Sequence, residues 1–390
     1  MLEFLILLLP VAAASGWWAA RRSMQKEKER LAASEIDSDY FRGLNYLINE
    51  QPDKAIDVFV RMLEVNSETV EMHLALGGLF RRRGEVDRAI RIHQNLIARQ
   101  TLSGEQRAQA LLALASDYMS AGLLDRAEGL FEELVENRRL LKPALTNLKL
   151  IYQHEKDWSK SLDVSRRLEK LGDKRQGRDQ AHFLCELAQT ALESDDETQA
   201  HALLKQAQDA DPGTFRPLLI EAEIATQEGR LEDAIDLYKK IADEHPAFIG
   251  EFLKPMQQIY ARTGQQEAWF DWLREIYEGK KNLSVLLQIT SEIADREGFT
   301  TATDYLTSEL SAAPKLAGVH RLIRMRMAQK GEQGSEFLAL IEQLLERLLK
   351  EQSAYQCHRC GFTTRTLHWQ CPGCRSWGSM LPRESSNRSP

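Results

Sequence analysis

One spacing recurs through most of this chain and limits what it can fold into. A small residue stands at Ala55, Ala89, Ala127, Ser161, Ala200, Ala234, Ala268 and Ala302, at steps of 34, 38, 34, 39, 34, 34 and 34 residues. Other positions keep the same register. Twelve residues earlier lies a second small residue in the best copies: Gly43, Gly77, Ala115, Ala188 and Ala222. Nine residues earlier is an aromatic at Tyr46, Phe80, Tyr118 and Tyr152. Four residues later stand Phe59, Phe131 and Tyr238, and twelve later Pro212, Pro246 and Pro314.

A period of 34 is the length of a helix–turn–helix tetratricopeptide unit. The residue types follow from its geometry. Two antiparallel helices that cross closely need small residues at the crossing, and aromatics fill the wedges between neighbouring units. No single pair buries its apolar face alone, so stacking supplies the core. The prolines stop the second helix of a unit. Gly84-Glu-Val-Asp-Arg-Ala-Ile-Arg and Gly229-Arg-Leu-Glu-Asp-Ala-Ile-Asp read as turn-to-helix junctions of one design. The sequence predicts about eight repeats over residues 39–315. Copies four and seven are degenerate: Ser161 replaces Ala, Lys149 takes a small-residue position, and Gln265–Trp272 is irregular. Extra residues fall in loops near Thr101–Glu105 and Gly172–Arg178.

Residues 316–353 read as C-terminal capping helices. In the last of them Phe337, Leu338, Leu340, Ile341, Leu344, Leu345, Leu348 and Leu349 form a stripe of helical period. This stripe is expected to cap the solenoid and to hold the metal-binding module, next in the chain, against it.

That module, residues 354–381, carries four of the chain's five cysteines: Cys357, Cys360, Cys371 and Cys374. They form two Cys-x-x-Cys knuckles ten residues apart. Gly361 helps close the first knuckle, and Pro372 and Gly373 shape the second. The pattern suits one tetrahedral metal ion held by four thiolates, iron or zinc. Disulfides or a dithiol redox pair are the competing readings. Four thiolates leave no open position for a substrate, so the site reads as structural. A piece this small lacks a sufficient core, and metal binding supplies most of its folding free energy. Tyr355, Phe362, Trp369 and Trp377 are expected to cover the knuckles. His358 and His368 are weaker alternative ligands.

The net charge of −7 argues against nucleic-acid binding by the chain as a whole, although residues 354–390 hold five Arg and one Glu. The one scattered cysteine, Cys185, offers no disulfide framework, which fits a reducing compartment. Seventeen uncharged residues, Phe4–Ala20, reach the short end of a membrane span. Trp17 and Trp18 suit the interface, and five basic against two acidic residues over Arg21–Arg30 place the long C-terminal part in the cytoplasm. Residues 1–20 are therefore expected to form a transmembrane anchor rather than a cleaved signal, since no positive charge precedes the apolar stretch. Residues 21–38 form a basic linker, and 382–390 a tail. Arg81-Arg82-Arg83 complements a helix C-terminus; Glu71, Leu74, Gly78 and Arg81 are candidate partner contacts on the inner face of the second repeat. The sequence holds no His-x-x-x-His, phosphate loop or ordered Ser/His/Asp set, and it does not read as an enzyme.

Three stretches together resemble the lipopolysaccharide assembly protein B family. They are the opening Met1–Ala14, Phe80-Arg-Arg-Arg-Gly-Glu-Val-Asp-Arg-Ala-Ile-Arg-Ile-His-Gln, and Cys357-His-Arg-Cys-Gly-Phe with Trp369-Gln-Cys-Pro-Gly-Cys-Arg. The resemblance covers essentially the whole chain. It implies an all-α tetratricopeptide superhelix with an N-terminal transmembrane helix and a C-terminal rubredoxin-like metal module. It also implies a single-pass protein of the bacterial inner membrane that regulates lipopolysaccharide biosynthesis. Its implied partners are the membrane protease FtsH, the LpxC deacetylase and other lipopolysaccharide assembly proteins; a homo-oligomer is compatible with it, and nucleic acid is not expected. The alternatives are a rubredoxin-like redox protein and a nucleic-acid-binding zinc ribbon on a repeat scaffold. The ten-residue gap is shorter than in true rubredoxins, which weighs against electron transfer.

Overall fold

The computed structural model describes residues 70–330 and 335–383, with short stretches between residues 21 and 59. The anchor expected at residues 1–20 lies outside the described residues, as does most of the linker. Among the described residues no helix is long and apolar enough to cross a membrane. The chain divides into two compact units, Met1–Asp157 and Trp158–Pro390.

In the first unit residues 54–59 are helical. They are followed by α1 (Val70–Arg82), α2 (Val86–Ile97), α3 (Gly104–Ser120), α4 (Leu124–Glu136) and α5 (Leu141–Glu155). The second unit holds α6 (Trp158–Lys170), α7 (Gly177–Glu193), α8 (Glu197–Ala210), α9 (Arg216–Gln227) and α10 (Leu231–Glu244). It continues with α11 (Leu253–Arg262), α12 (Gln266–Lys280), α13 (Leu283–Glu297), α14 (Phe299–Ala312), α15 (Leu316–Lys330) and α16 (Ser335–Glu351). Within each unit sequential helices pack on one another, as stacked hairpins require.

The 34-residue register marks the core. Ala55, Ala89, Ala127, Ser161, Ala200, Ala234 and Ala302 are all 0% exposed. Opposite them the earlier small residues leave room for large side chains. A Cβ on Gly43 would stand 2.7 Å from the Phe59 ring, and one on Gly77 2.4 Å from His93 Nε2. His93 thus fills in the second repeat the place that Phe59 takes in the first. Gly84 and Gly229 turn their hairpins at φ 85° and 81°, a region other residues enter at a cost. The extra residues before the third repeat form a loop closed by a capping box, in which Ser103 and Gln106 satisfy each other's backbone N–H. Those before the fifth repeat include a 3-10 turn, Lys174–Gln176.

Three expectations are corrected. Ala268 is exposed, and in the seventh repeat the neighbouring Trp269 and Phe270 are buried instead. A 3-10 segment, Pro246–Glu251, precedes the short α11, and Trp269 packs on Tyr260 and Trp272 with both ring centroids 5.5 Å away. One residue of offset turns a helix face by about 100°, so the small residue points to solvent while the indole is packed. Secondly, Arg81 is not a free contact on the inner face. It donates to Asp117 Oδ1 at 2.7 Å and to the Ala113 carbonyl at 3.2 Å, while the buried His93 Nδ1 meets the other oxygen of Asp117. This network ties α1, α2 and α3 together. Thirdly, α16 packs on α15, but Phe337, Leu340, Leu344 and Leu348 remain about half exposed or more. The residues that seat the metal module belong chiefly to earlier helices.

Candidate metal centre

After α16 the chain forms a three-stranded antiparallel sheet in the order β2–β1–β3: β1 (Tyr355–Cys357), β2 (Thr363–Thr364) and β3 (Met380–Pro382). Tyr355 faces Thr364 on one side and Pro382 on the other. The Arg383 N–H donates to the Ala354 carbonyl at 2.9 Å, so the module closes at Arg383, two residues past the expected boundary.

The two knuckles repeat one backbone pattern. Cys357 N–H donates to the Phe362 carbonyl at 2.8 Å, and Gly361 N–H to the Cys357 carbonyl at 2.9 Å. In the second knuckle Cys371 N–H donates to the Ser376 carbonyl at 2.9 Å, and Arg375 N–H to the Cys371 carbonyl at 2.8 Å. The left-handed residue follows the second cysteine each time: Gly361 at φ 79° and Arg375 at φ 56°. Gly373, expected to shape the turn, serves packing instead; a Cβ there would meet Phe362 Cβ at 3.1 Å.

These turns bring the four sulfurs together. All lie within 4.8 Å of one another as free thiols, with Cys357–Cys374 and Cys360–Cys371 each at 3.7 Å. A tetrahedron with metal–sulfur bonds of about 2.3 Å has edges of about 3.8 Å; the two 3.7 Å pairs match such an edge, and the whole set is of a size to hold one metal ion. Neither disulfide is formed. Burial opposes ionisation of Cys357, yet hydrogen bonds from Ser379 and the backbone of Cys360 and Arg359 prevail and bring its pKa down to about 6. Ser376 acts likewise on Cys374, 3.3 Å away, lowering its pKa. These contacts favour the thiolate at Cys357 and Cys374, whereas burial holds the Cys371 thiol up. At Cys360 the backbone of Phe362 favours the thiolate, but burial and the neighbouring sulfurs outweigh it and raise the pKa to about 12. His358 Nδ1 lies instead 2.9 Å from the Ser379 carbonyl, and His368 Nε2 3.2 Å from Thr366.

The aromatics of the module mostly face the repeats rather than the knuckles. Trp377 is 5% exposed and enters the core of α6 and α7. It meets Trp158 and Phe183 edge-on, each at 5.8 Å, and stacks on His182. Trp369 meets Phe215 edge-on at 5.3 Å and carries the Arg216 guanidinium over its face at 5.2 Å. Arg216 is 2% exposed and donates to Glu186 Oε1 at 2.8 Å and Gln189 Oε1 at 2.9 Å. The Tyr355 hydroxyl donates to Glu251. At Gly378 the backbone runs so close to α7 that a Cβ would stand 3.1 Å from His182 Nε2. Burial first, then the charges of Arg216 and Arg178, hold the His182 pKa down at about 3, so its ring is neutral. Burial likewise raises the Cys185 thiol to about 12, leaving it an inert core residue. Sequence reasoning missed His182 and Arg216. The density of tryptophans in so small a module was the signal that it packs on something.

Comparison with known proteins agrees with this division. Residues 355–382 match the rubredoxin metal binding domain, and residues 42–102 and 185–247 the tetratricopeptide repeat. Lipopolysaccharide assembly protein B of Escherichia coli is 38% identical over 98% of both chains. The chain belongs to the lipopolysaccharide assembly protein B family. The Haemophilus influenzae protein of that name is 34% identical, again over 98% of each chain. A solved repeat protein, MamA, overlaps 45% of this chain and 92% of its own at 16% identity, with a TM-score of 0.36.

Proposed function

We propose that this protein is a membrane-tethered adaptor that regulates lipopolysaccharide biosynthesis, and that its four-cysteine site, Cys357, Cys360, Cys371 and Cys374, holds one structural iron or zinc ion. Residues 1–20 anchor it as a single pass in the bacterial inner membrane, with the repeats on the cytoplasmic side. The repeats present the LpxC deacetylase to the membrane protease FtsH, and the same scaffold gathers other lipopolysaccharide enzymes.

The observation that carries this reading is the match to lipopolysaccharide assembly protein B along nearly the full length of both chains. The geometry supports a binding role for the site: four thiolates would fill a tetrahedral shell and leave no position for a substrate. The module is also seated in the repeat core through Trp369 and Trp377, so the ion would brace the scaffold rather than act on a ligand.

The test is the half-life of the deacetylase in cells lacking this gene. Loss should lengthen it, the full chain should restore it, and a chain lacking residues 1–20 should fold but fail to restore it. An unchanged half-life on deletion overturns the regulatory reading. A reporter fused to the C-terminus tests the orientation.

A further inference from the structure

The four sulfurs form two pairs that cross between the knuckles. Cys357 Sγ lies 3.7 Å from Cys374 Sγ, and Cys360 Sγ lies 3.7 Å from Cys371 Sγ. Each pair joins the first cysteine of one knuckle to the second cysteine of the other. Each also joins a buried cysteine to a more accessible one: Cys357 and Cys371 are buried, Cys374 is half-buried and Cys360 is exposed. Oxidants act on the sulfurs they can reach, so Cys360 and Cys374 are the points of entry. In each case the sulfur at hand for condensation is the buried one across the site.

Closing a pair to a disulfide bond of about 2.05 Å moves each sulfur by roughly 0.8 Å. The knuckle backbones have hydrogen bonds of their own, such as Gly361 N–H to the Cys357 carbonyl and Arg375 N–H to the Cys371 carbonyl. The sheet β2–β1–β3 and the seats of Trp369 and Trp377 in the repeat core do not run through the sulfurs. Two crossed bonds would therefore tie the same two segments that an ion ties, and leave the rest of the module in place.

We propose that this centre is an oxidant-responsive clasp: a peroxide exchanges the ion for two disulfides, Cys357–Cys374 and Cys360–Cys371, and the module stays closed on the repeats. The inference rests on the structural ion proposed above. In each pair one thiolate attacks the peroxide. An S–O bond forms, the O–O bond breaks, and hydroxide leaves a sulfenic acid behind. The second thiolate attacks that sulfur, so that the S–S bond forms and the S–O bond breaks with loss of a second hydroxide. Two protons from solvent convert both hydroxides to water. The two sulfurs lose two electrons and the peroxide gains them. Two peroxides consume all four thiolates, and the ion leaves as a divalent cation with its oxidation state unchanged.

The test uses the full zinc-loaded chain in detergent, since zinc exchanges no electrons. Hydrogen peroxide is added while zinc release, free thiols and tryptophan emission are followed. A reduced sample stripped of zinc by a chelator is the open reference. Trypsin cleaves after Arg359 and separates Cys357 from Cys360, while Cys371 and Cys374 stay together on Thr366–Arg375. The expected result is release of one zinc per chain and loss of four thiols, with Cys185 retained. Without reductant the digest should hold a species of three joined peptides, whose fragmentation pairs Cys357 with Cys374 and Cys360 with Cys371. Emission should stay at its zinc-loaded position, and reductant with zinc should restore the starting protein. A chain that takes up no zinc overturns the reading of the site as a metal centre, and this proposal with it. In a zinc-loaded chain, any of four results overturns the proposal alone: zinc retained, sulfinic or sulfonic acids in place of disulfides, bonds within each knuckle, or an emission shift equal to that of the stripped reference.

Discussion

Trp377 of the metal module stacks on His182 of α7, with ring centroids 5.1 Å apart and planes at 21°. The contact joins the small four-cysteine module to the repeat core, and the stability of each is expected to depend on the other. Replacing Trp377 by Ala should cost about 3–5 kcal/mol, as for other buried large-to-small changes. Phe at this position should recover much of the loss. Denaturant unfolding of the three proteins checks this; equal midpoints would mean that the module sits on the repeats without stabilising them.

His182 makes stability depend on pH. Its folded pKa of about 3 lies below the roughly 6.5 of an unfolded histidine. Between those values the unfolded state binds more protons, so stability rises with pH. The contribution is complete above about pH 6.5 and is lost as pH falls toward 3, at up to about 1.4 kcal/mol per pH unit. Unfolding free energies of the parent and of His182→Gln, measured between pH 7 and 5, should converge on acidification. Parallel curves would exclude His182 as the source.

Arg216 holds Glu186, Gln189 and the face of Trp369 together. Arg216→Ala should destabilise by about 3 kcal/mol, since it strands Glu186, which is a quarter exposed and so retains some water. Arg216→Met combined with Glu186→Met should recover most of that loss, because it removes both charges and keeps the volume. The double-mutant cycle is read from thermal unfolding; additive losses would show that the pair is not coupled.

Removing the metal, by chelation or by Cys357→Ser or Cys371→Ser, should unfold the module and release both tryptophans from the repeats. The expected signals are a red shift of tryptophan fluorescence, loss of one bound metal ion per chain and failure to restore deacetylase turnover in cells. Unchanged fluorescence together with retained turnover in a metal-free variant would sink the structural role.

The corrected register has its own test. Ala234→Leu places a large side chain at a fully buried helix crossing and should cost at least 1–3 kcal/mol by overpacking. Ala268→Leu, on an exposed face, should stay within about 0.5 kcal/mol of the parent. Similar losses at both sites would restore the strict 34-residue alignment.

Much of this architecture was legible because its causes are local. Close helix crossings admit only small residues, so Ala55, Ala89 and Ala127 announce the hairpins from sequence alone. Cys357 and Cys360, like Cys371 and Cys374, are placed by turns of a few residues, so their convergence could be read from spacing. The register failed at Ala268, where a 3-10 segment upstream and a packed indole next door override a pattern built on alanine. The seat of the metal module was not legible. Trp369 and Trp377 advertise burial, but which helices receive them depends on contacts far apart in the chain. The apolar stripe of α16 looked like the nearer partner, yet Phe337 remains 71% exposed.

The distance in sequence between Trp377 and its partners bears on how the protein is made. Trp158, His182 and Phe183 leave the ribosome roughly two hundred residues before the tryptophan that covers them. In the structural role proposed for the ion, that apolar seat stays open to water until the knuckles close. Metal supply would then decide whether a newly synthesised chain matures or is handed to degradation, and a shortage of the ion would be felt first as a fall in the amount of this protein.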